Sequence, residues 1–267
     1  VTVRRGIFLS GVAMLCAWTL VPIWLVALGA VGGRDVVNAW PKTFFPGSTS
    51  LATLRAFLDV QGVWSATLVS VEVAVLCMAF SLLLGAPAGY ALARYNFRGA
   101  TTYRLLILLT RAFPVGILAL PLAITFIRLD LYDRPLGVAL IHTALALPFA
   151  VLVSASLFQA IPREFEEAAW VFGCSRLRAF LRVVLPLALP GIAATAIFAF
   201  VISWNEVFAA AVLTVRHRTL TAYLLTVLAE SPLHVQFAGG FVLIVPSVVF
   251  IFLVRKHLFA MWGIANR

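Results

Sequence analysis

Lysine is almost missing from these 267 residues: Lys42 and Lys256 are the only two. A nucleotide-binding loop of the Walker type needs a lysine directly after a glycine, to reach the terminal phosphates. Lys42 follows Pro41 and Lys256 follows Arg255, so the sequence offers no ATPase site of its own. Charge of either sign is scarce at 11% of residues, while 63% are hydrophobic and the mean hydropathy is +1.06. A soluble fold of this size has too little interior to hide that much apolar surface. Cysteine is scarce as well. Cys16, Cys77 and Cys174 are odd in number and lack Cys-x-x-Cys or Cys/His spacing, and the histidines show no ligand spacing, so neither a disulfide framework nor a metal site is expected. No nucleophile–base constellation accompanies them, which argues against an enzyme.

What the chain has is long apolar runs. Six of them, at about 7–29, 64–90, 105–127, 136–160, 187–213 and 238–256, can each cross roughly 30 Å of hydrocarbon. Lipid cannot satisfy backbone polar groups, so these runs are expected to be helices of an all-α integral membrane protein, with residues 1–267 as one transmembrane domain. Pro22, Pro87, Pro114, Pro121, Pro148 and Pro246 mark expected kinks. Arg4-Arg5 faintly resembles an export signal, but the apolar run continues to about Gly29 without a small-x-small cleavage site, so a retained first span is expected.

The net charge of +10 is carried almost entirely by arginine at span ends, a pattern that suits headgroups and topology rather than nucleic acid. With a cytoplasmic N-terminus, the inside segments hold twelve basic residues and the outside segments seven, so both termini and the segment 161–186 are expected in the cytoplasm. In the first outside loop, Leu51 to Leu58 reads as a short helix with Leu51, Leu54 and Leu58 on one face.

The segment 161–186 is a charged island between two apolar runs. Pro162 suits a first helical turn, and Glu164, Glu166 and Glu167 complement the positive end of the helix dipole. Phe165, Ala168, Ala169 and Phe172 recur at helical spacing, and the small alanines permit close approach of another backbone. Gly173 suits a left-handed helix end, and Ser175 can cap a second helix bearing Arg176, Arg178 and Arg182. Leu185-Pro186 then leads into the fifth span. Such a linker can lie flat on lipid, but its three acids are repelled by anionic headgroups, which favours a protein partner.

In order, Glu167, Ala168, Ala169, Gly173, Val183, Leu185 and Pro186 resemble the EAA loop of bacterial ABC importer permeases. The departures are Phe172, where the family commonly has aspartate, and Cys174, where alanine is usual. Val21-Pro22 with Trp24, the Phe-Pro-Gly-Ser loop beginning at Phe45, Gly89-Tyr90-Ala91-Leu92-Ala93-Arg94 and Trp204-Asn205-Glu206 are similar to the carbohydrate-uptake, MalG-like branch. The resemblance implies a type I permease fold in the bacterial plasma (inner) membrane. It implies pairing with a second homologous permease, two copies of an ATPase subunit that bind the ATP, and an extracytoplasmic solute-binding protein. Coupling to the ATPase then falls to Glu164, Phe165, Glu166, Glu167, Ala168, Ala169, Phe172, Gly173, Arg176, Arg178, Leu185 and Pro186. No cofactor is implied in this chain.

Glu72, Arg111, His142, Asn205 and Glu206 lie inside apolar runs, where polar groups tend to face a cavity or a partner. Glu72 and Glu206 match in depth; both could line a subunit interface or solute pathway, or make purely structural hydrogen bonds. Trp204 beside Asn205 and Glu206 is a candidate sugar contact, or simply packs on a neighbouring helix. Arg111 either snorkels to the inner interface or lines an exit. A proton-driven carrier using Glu72 and Glu206, and a non-transporting membrane anchor, are the competing functional classes.

Overall fold

A computed structural model describes residues 2–42, 44–45 and 49–261, and every regular element among them is a helix. The chain divides into two compact units, Val1–Trp64 with Leu224–Pro246, and Ser65–Tyr223 with Ser247–Arg267. Among the described residues five helical stretches are long and apolar enough to cross a membrane, and six if one bent pair counts as a single span. The protein is an all-α membrane protein.

In the first unit, α1 (Thr2–Asn38) outruns the expected 7–29 at both ends and is kinked at Gly33, whose φ 65° and ψ −157° are non-helical. From Arg4 to Leu25 it is exposed throughout. A helix with apolar side chains on every side is built for lipid or for another helix. The short outer helix α2 (Ala52–Leu58) forms where expected, but it buries Thr53 and Phe57 rather than the Leu51/Leu54/Leu58 face. Phe57 is fully buried because its ring fills the space that glycine leaves at position 239.

The second unit is built on α3 (Val63–Arg94), α6 (Pro135–Ala160) and α9 (Leu185–Asn205). Small residues let α3 and α6 approach: a Cβ on Gly85 would lie 2.8 Å from Ala150 Cβ, and one on Gly89 2.6 Å from Ser154 Cβ. Without a hydrophobic drive between helices in lipid, this close packing supplies much of the attraction. The expected second span, 64–90, continues four residues further, to Arg94. The fourth, 136–160, is matched almost residue for residue by α6, which starts with Pro135 in its first turn.

Two expected spans are broken. The run 105–127 is not one helix: α4 (Ala100–Leu109) continues as a 3-10 turn, Thr110–Ala112, and then bends by 88° into α5 (Val115–Arg128). The cause is Pro114, which disfavours helical backbone at the residue before it; Phe113 is extended, with ψ 117°. The run 187–213 begins earlier and ends earlier. α8 (Arg176–Ala179), a π-helical turn (Phe180–Val184) and α9 form one 30-residue helix, Arg176–Asn205. Pro186 therefore does not start a separate element. Proline leaves a carbonyl without its donor, and the wider turn just before it relaxes the ladder there. After an extended Glu206 the chain re-enters helix as α10 (Phe208–Leu213), followed by α11 (Leu220–Thr226) and α12 (Leu233–Met261), which covers the expected 238–256.

Candidate functional site

The charged island folds as the sequence suggests at its ends. α7 (Glu164–Val171) has Glu164, Glu166 and Glu167 in its first turn. Pro162 lies just ahead of the helix instead of inside it, with Arg163 as the capping residue. Gly173 takes a left-handed φ of 82°, and its N–H bonds the Trp170 carbonyl at 2.9 Å. The Ser175 hydroxyl accepts the Arg178 N–H at 3.3 Å and caps α8.

What the sequence does not convey is which face of α7 points inward. Only Glu166 and Ala169 are buried. Glu166 is 2% exposed and forms an ion pair with the Arg94 guanidinium at the end of α3. Its other carboxylate oxygen accepts the Tyr90 hydroxyl at 2.6 Å. Arg94 also donates to the Ile161 carbonyl at 3.0 Å, and its own carbonyl accepts from Arg163 at 3.3 Å. Burying the two charges is tolerable because each finds the other together with further hydrogen bonds. Glu164, Phe165, Glu167, Ala168 and Trp170 remain outside, and the tip is nearly bare, with Val171 85% and Phe172 88% exposed. Arg176 places its guanidinium 5.8 Å from the centre of the Trp170 ring, a cation–π contact. Between α7 and the end of α3 lies a cavity of about 260 Å³ lined by Tyr90, Tyr95, Arg94, Arg163, Trp170 and Arg176 among others. Arg178 and Pro186 are exposed, and Leu185 packs half-buried against the Phe158/Phe180 cluster.

The residues expected inside spans fall into separate places. Trp204 is 3% exposed, and its ring stacks parallel to that of Phe200 at 6.0 Å, so it packs within this chain. Asn205 is exposed and donates to the Val201 carbonyl at 2.8 Å and to Ser247 Oγ at 3.3 Å. Glu72 is exposed on α3, and Arg111 is exposed in the 3-10 turn at the bend. Glu206 has a structural part. Its carboxylate accepts the N–H groups of Phe208, Ala209 and Ala210 at 3.0–3.2 Å, restarting the helix after the break. The fully buried His142 ring sits 3.1 Å from that carboxylate through Nε2 and 2.8 Å from Ser203 Oγ through Nδ1. A carboxylate only accepts, so Nε2 bears the hydrogen. Neither the Glu166–Arg94 nor the Glu206–His142 pairing has a local signal, since the partners are 72 and 64 residues apart.

A second polar knot joins two loops. Asp133, at φ 56°, accepts the N–H groups of Val215, Arg216 and His217 on one oxygen at 2.8–3.0 Å. Burial opposes its charge, but these donors and the neighbouring His217 outweigh it and hold the carboxyl below its ordinary range. Among the described residues no cluster of histidine, cysteine and carboxylate side chains could hold a metal ion.

Residues 81–259 match the family described as binding-protein-dependent transport system inner membrane component. The chain is 37% identical, over 80% of its length and 95% of the relative's, to a putative ABC transporter permease protein, ORF1, of Streptomyces antibioticus. It is 28% identical to the trehalose transport system permease protein SugB of Mycobacterium tuberculosis, with 92% of each chain covered. Among solved structures, a chain of a bacterial ABC transporter involved in import of the acidic polysaccharide alginate superposes with a TM-score of 0.78 at 22% identity, covering 96% of each chain.

Proposed function

The chain belongs to the family of binding-protein-dependent transport system inner membrane components, and from that premise we propose that it is the permease subunit of an ATP-driven importer for a sugar, polyol or related polar solute. The solute class is supported by the trehalose system to which SugB belongs and by the alginate transporter that shares the fold. The chain does no chemistry. ATP is bound and hydrolysed by two copies of a separate subunit beneath it, a second homologous permease completes the pathway, and a solute-binding protein delivers cargo from outside. Closure of the ATPase pushes on α7, and rocking of the helices switches the pathway from one side of the membrane to the other.

The observation that carries this reading is the form of α7. Its root is fixed by a buried ion pair while an apolar tip, Val171-Phe172, stands bare. An exposed aromatic at the end of a rigid helix is the anatomy of a plug for a partner's cleft. Among the pathway candidates, Glu72, Arg111 and Asn205 are exposed in this chain and so available to a second permease or to solute. Glu206 is engaged by three backbone donors and His142, which leaves it poorly suited to carry protons.

The test is uptake into membrane vesicles containing the chain and its co-purifying partners. Uptake is expected to require ATP inside the compartment that α7 faces, and to survive collapse of the proton gradient. Uptake driven by the gradient without ATP contradicts the proposal.

A further inference from the structure

We propose that Arg94, Glu166 and Tyr90 form the joint that passes movement of α7 to three membrane helices at once, which makes them positioning residues for transport; the inference rests on the importer reading above. Among the described residues Glu166 is the only side chain of α7 in an ion pair. Of its residues only Glu166 and Ala169 are buried, and Ala169 offers a single methyl group. At its C-terminal end the backbone of α7 closes on itself, with the Gly173 and Cys174 N–H groups bonding the Trp170 and Ala169 carbonyls at 2.9 Å, so the polar tie to the membrane helices is made at Glu166. Without the carboxylate, α7 loses its ion pair and its Tyr90 hydrogen bond to α3.

The joint reaches three helices. The Arg94–Glu166 ion pair connects α7 to the end of α3. Arg94 also braces the approach to α7, through the Ile161 carbonyl at 3.0 Å and the Arg163 guanidinium at 3.3 Å. Tyr90, one turn earlier on α3, holds the other oxygen of Glu166 at 2.6 Å. Its ring meets Phe158 of α6 edge-on at 5.7 Å and lies 4.5 Å from Phe180, the first residue of the π turn that leads into α9. A push on α7 therefore arrives at α3 through paired charges, and at α6 and α9 through an aromatic contact. Separating a buried ion pair leaves two uncompensated charges, so this link resists slippage where a mere van der Waals contact would slide.

The experiment uses the assembled importer in proteoliposomes, with ATP hydrolysis and solute uptake measured together. Glu166→Gln and Arg94→Gln are expected to retain the ATPase and hydrolyse ATP within about twofold of the parent, while uptake per ATP falls about tenfold. The exchange variant, Arg94→Glu with Glu166→Arg, is expected to regain much of that loss, because the pair is rebuilt with its ends reversed. Uptake per ATP unchanged in both single variants overturns the joint. Equal loss of hydrolysis and uptake, unrelieved by the exchange, marks a purely structural anchor and overturns it too. Should the charge variants fail to insert, Tyr90→Phe, which keeps the ring and every charge, takes their place, with an expected loss of about threefold in uptake per ATP at unchanged hydrolysis. An unchanged ratio in that variant is equally fatal to the joint. Failure of the parent chain to bring an ATPase with it is a different result, and removes the importer reading itself.

Discussion

At position 206 a single carboxylate decides where a helix stops and starts again. Glu206 ends the long helix, caps α10 through three backbone donors and holds His142 in the interior. Glu206→Ala strands those donors and leaves His142 without its acceptor, an expected cost of about 2–4 kcal/mol in detergent thermal unfolding. Glu206→Gln keeps one carbonyl acceptor and is expected to cost about 1 kcal/mol. If the two variants unfold alike, the capping role is wrong. Asp133 gives a pH dependence with a definite sign. Its folded-state carboxyl titrates below the ordinary value, so its stabilisation is complete above about pH 4 and drains away as the pH falls through the folded value. Protection factors against hydrogen exchange at Val215, Arg216 and His217 are therefore expected to fall on acidification below that point, and to be low at neutral pH in Asp133→Ala. Protection there that ignores both acid and the substitution contradicts the assignment.

At the scale of the element, α7 shows both what a sequence conveys and what it withholds. Its acids, its left-handed Gly173 and the Ser175 cap follow from local rules, because each concerns backbone groups within a few residues. Its orientation does not follow: Glu164, Glu166 and Glu167 look alike in the sequence, yet only Glu166 is buried, since only it meets Arg94 from a distant helix. The broken spans teach the same lesson. Hydropathy counts apolar residues and is blind to direction, so 105–127 looks continuous until Pro114 bends it by 88°. The end of the fifth run at Asn205 lies within Trp204-Asn205-Glu206, where the Glu206 carboxylate takes N–H groups two to four residues ahead, a local cap that a count of apolar residues does not register. Two consequences belong to this scale. Phe172→Ala, at the bare tip, is expected to weaken capture of the ATPase about tenfold or more in a pull-down titration without altering membrane insertion. Gly173→Val forces a branched side chain into φ 82° and is expected to cost about 1–2 kcal/mol locally and to lower uptake; full uptake in that variant is the contrary result.

For the whole molecule, scarcity of charge and long apolar helices place the chain in a membrane. Its family membership supplies the rest of the machine as a proposal: an ATPase below, a second permease beside, a binding protein outside. The unburied length of α1, from Arg4 to Leu25, and the naked tip of α7 are both unfinished surfaces when the chain stands alone. The most direct measurement is a cross-link from a photoreactive group at position 172, formed in native membranes. The account predicts an adduct with a nucleotide-hydrolysing subunit and no reaction at that position with a membrane-impermeant reagent added outside intact cells. Labelling of position 172 from the outside, or an adduct with lipid alone, would contradict it.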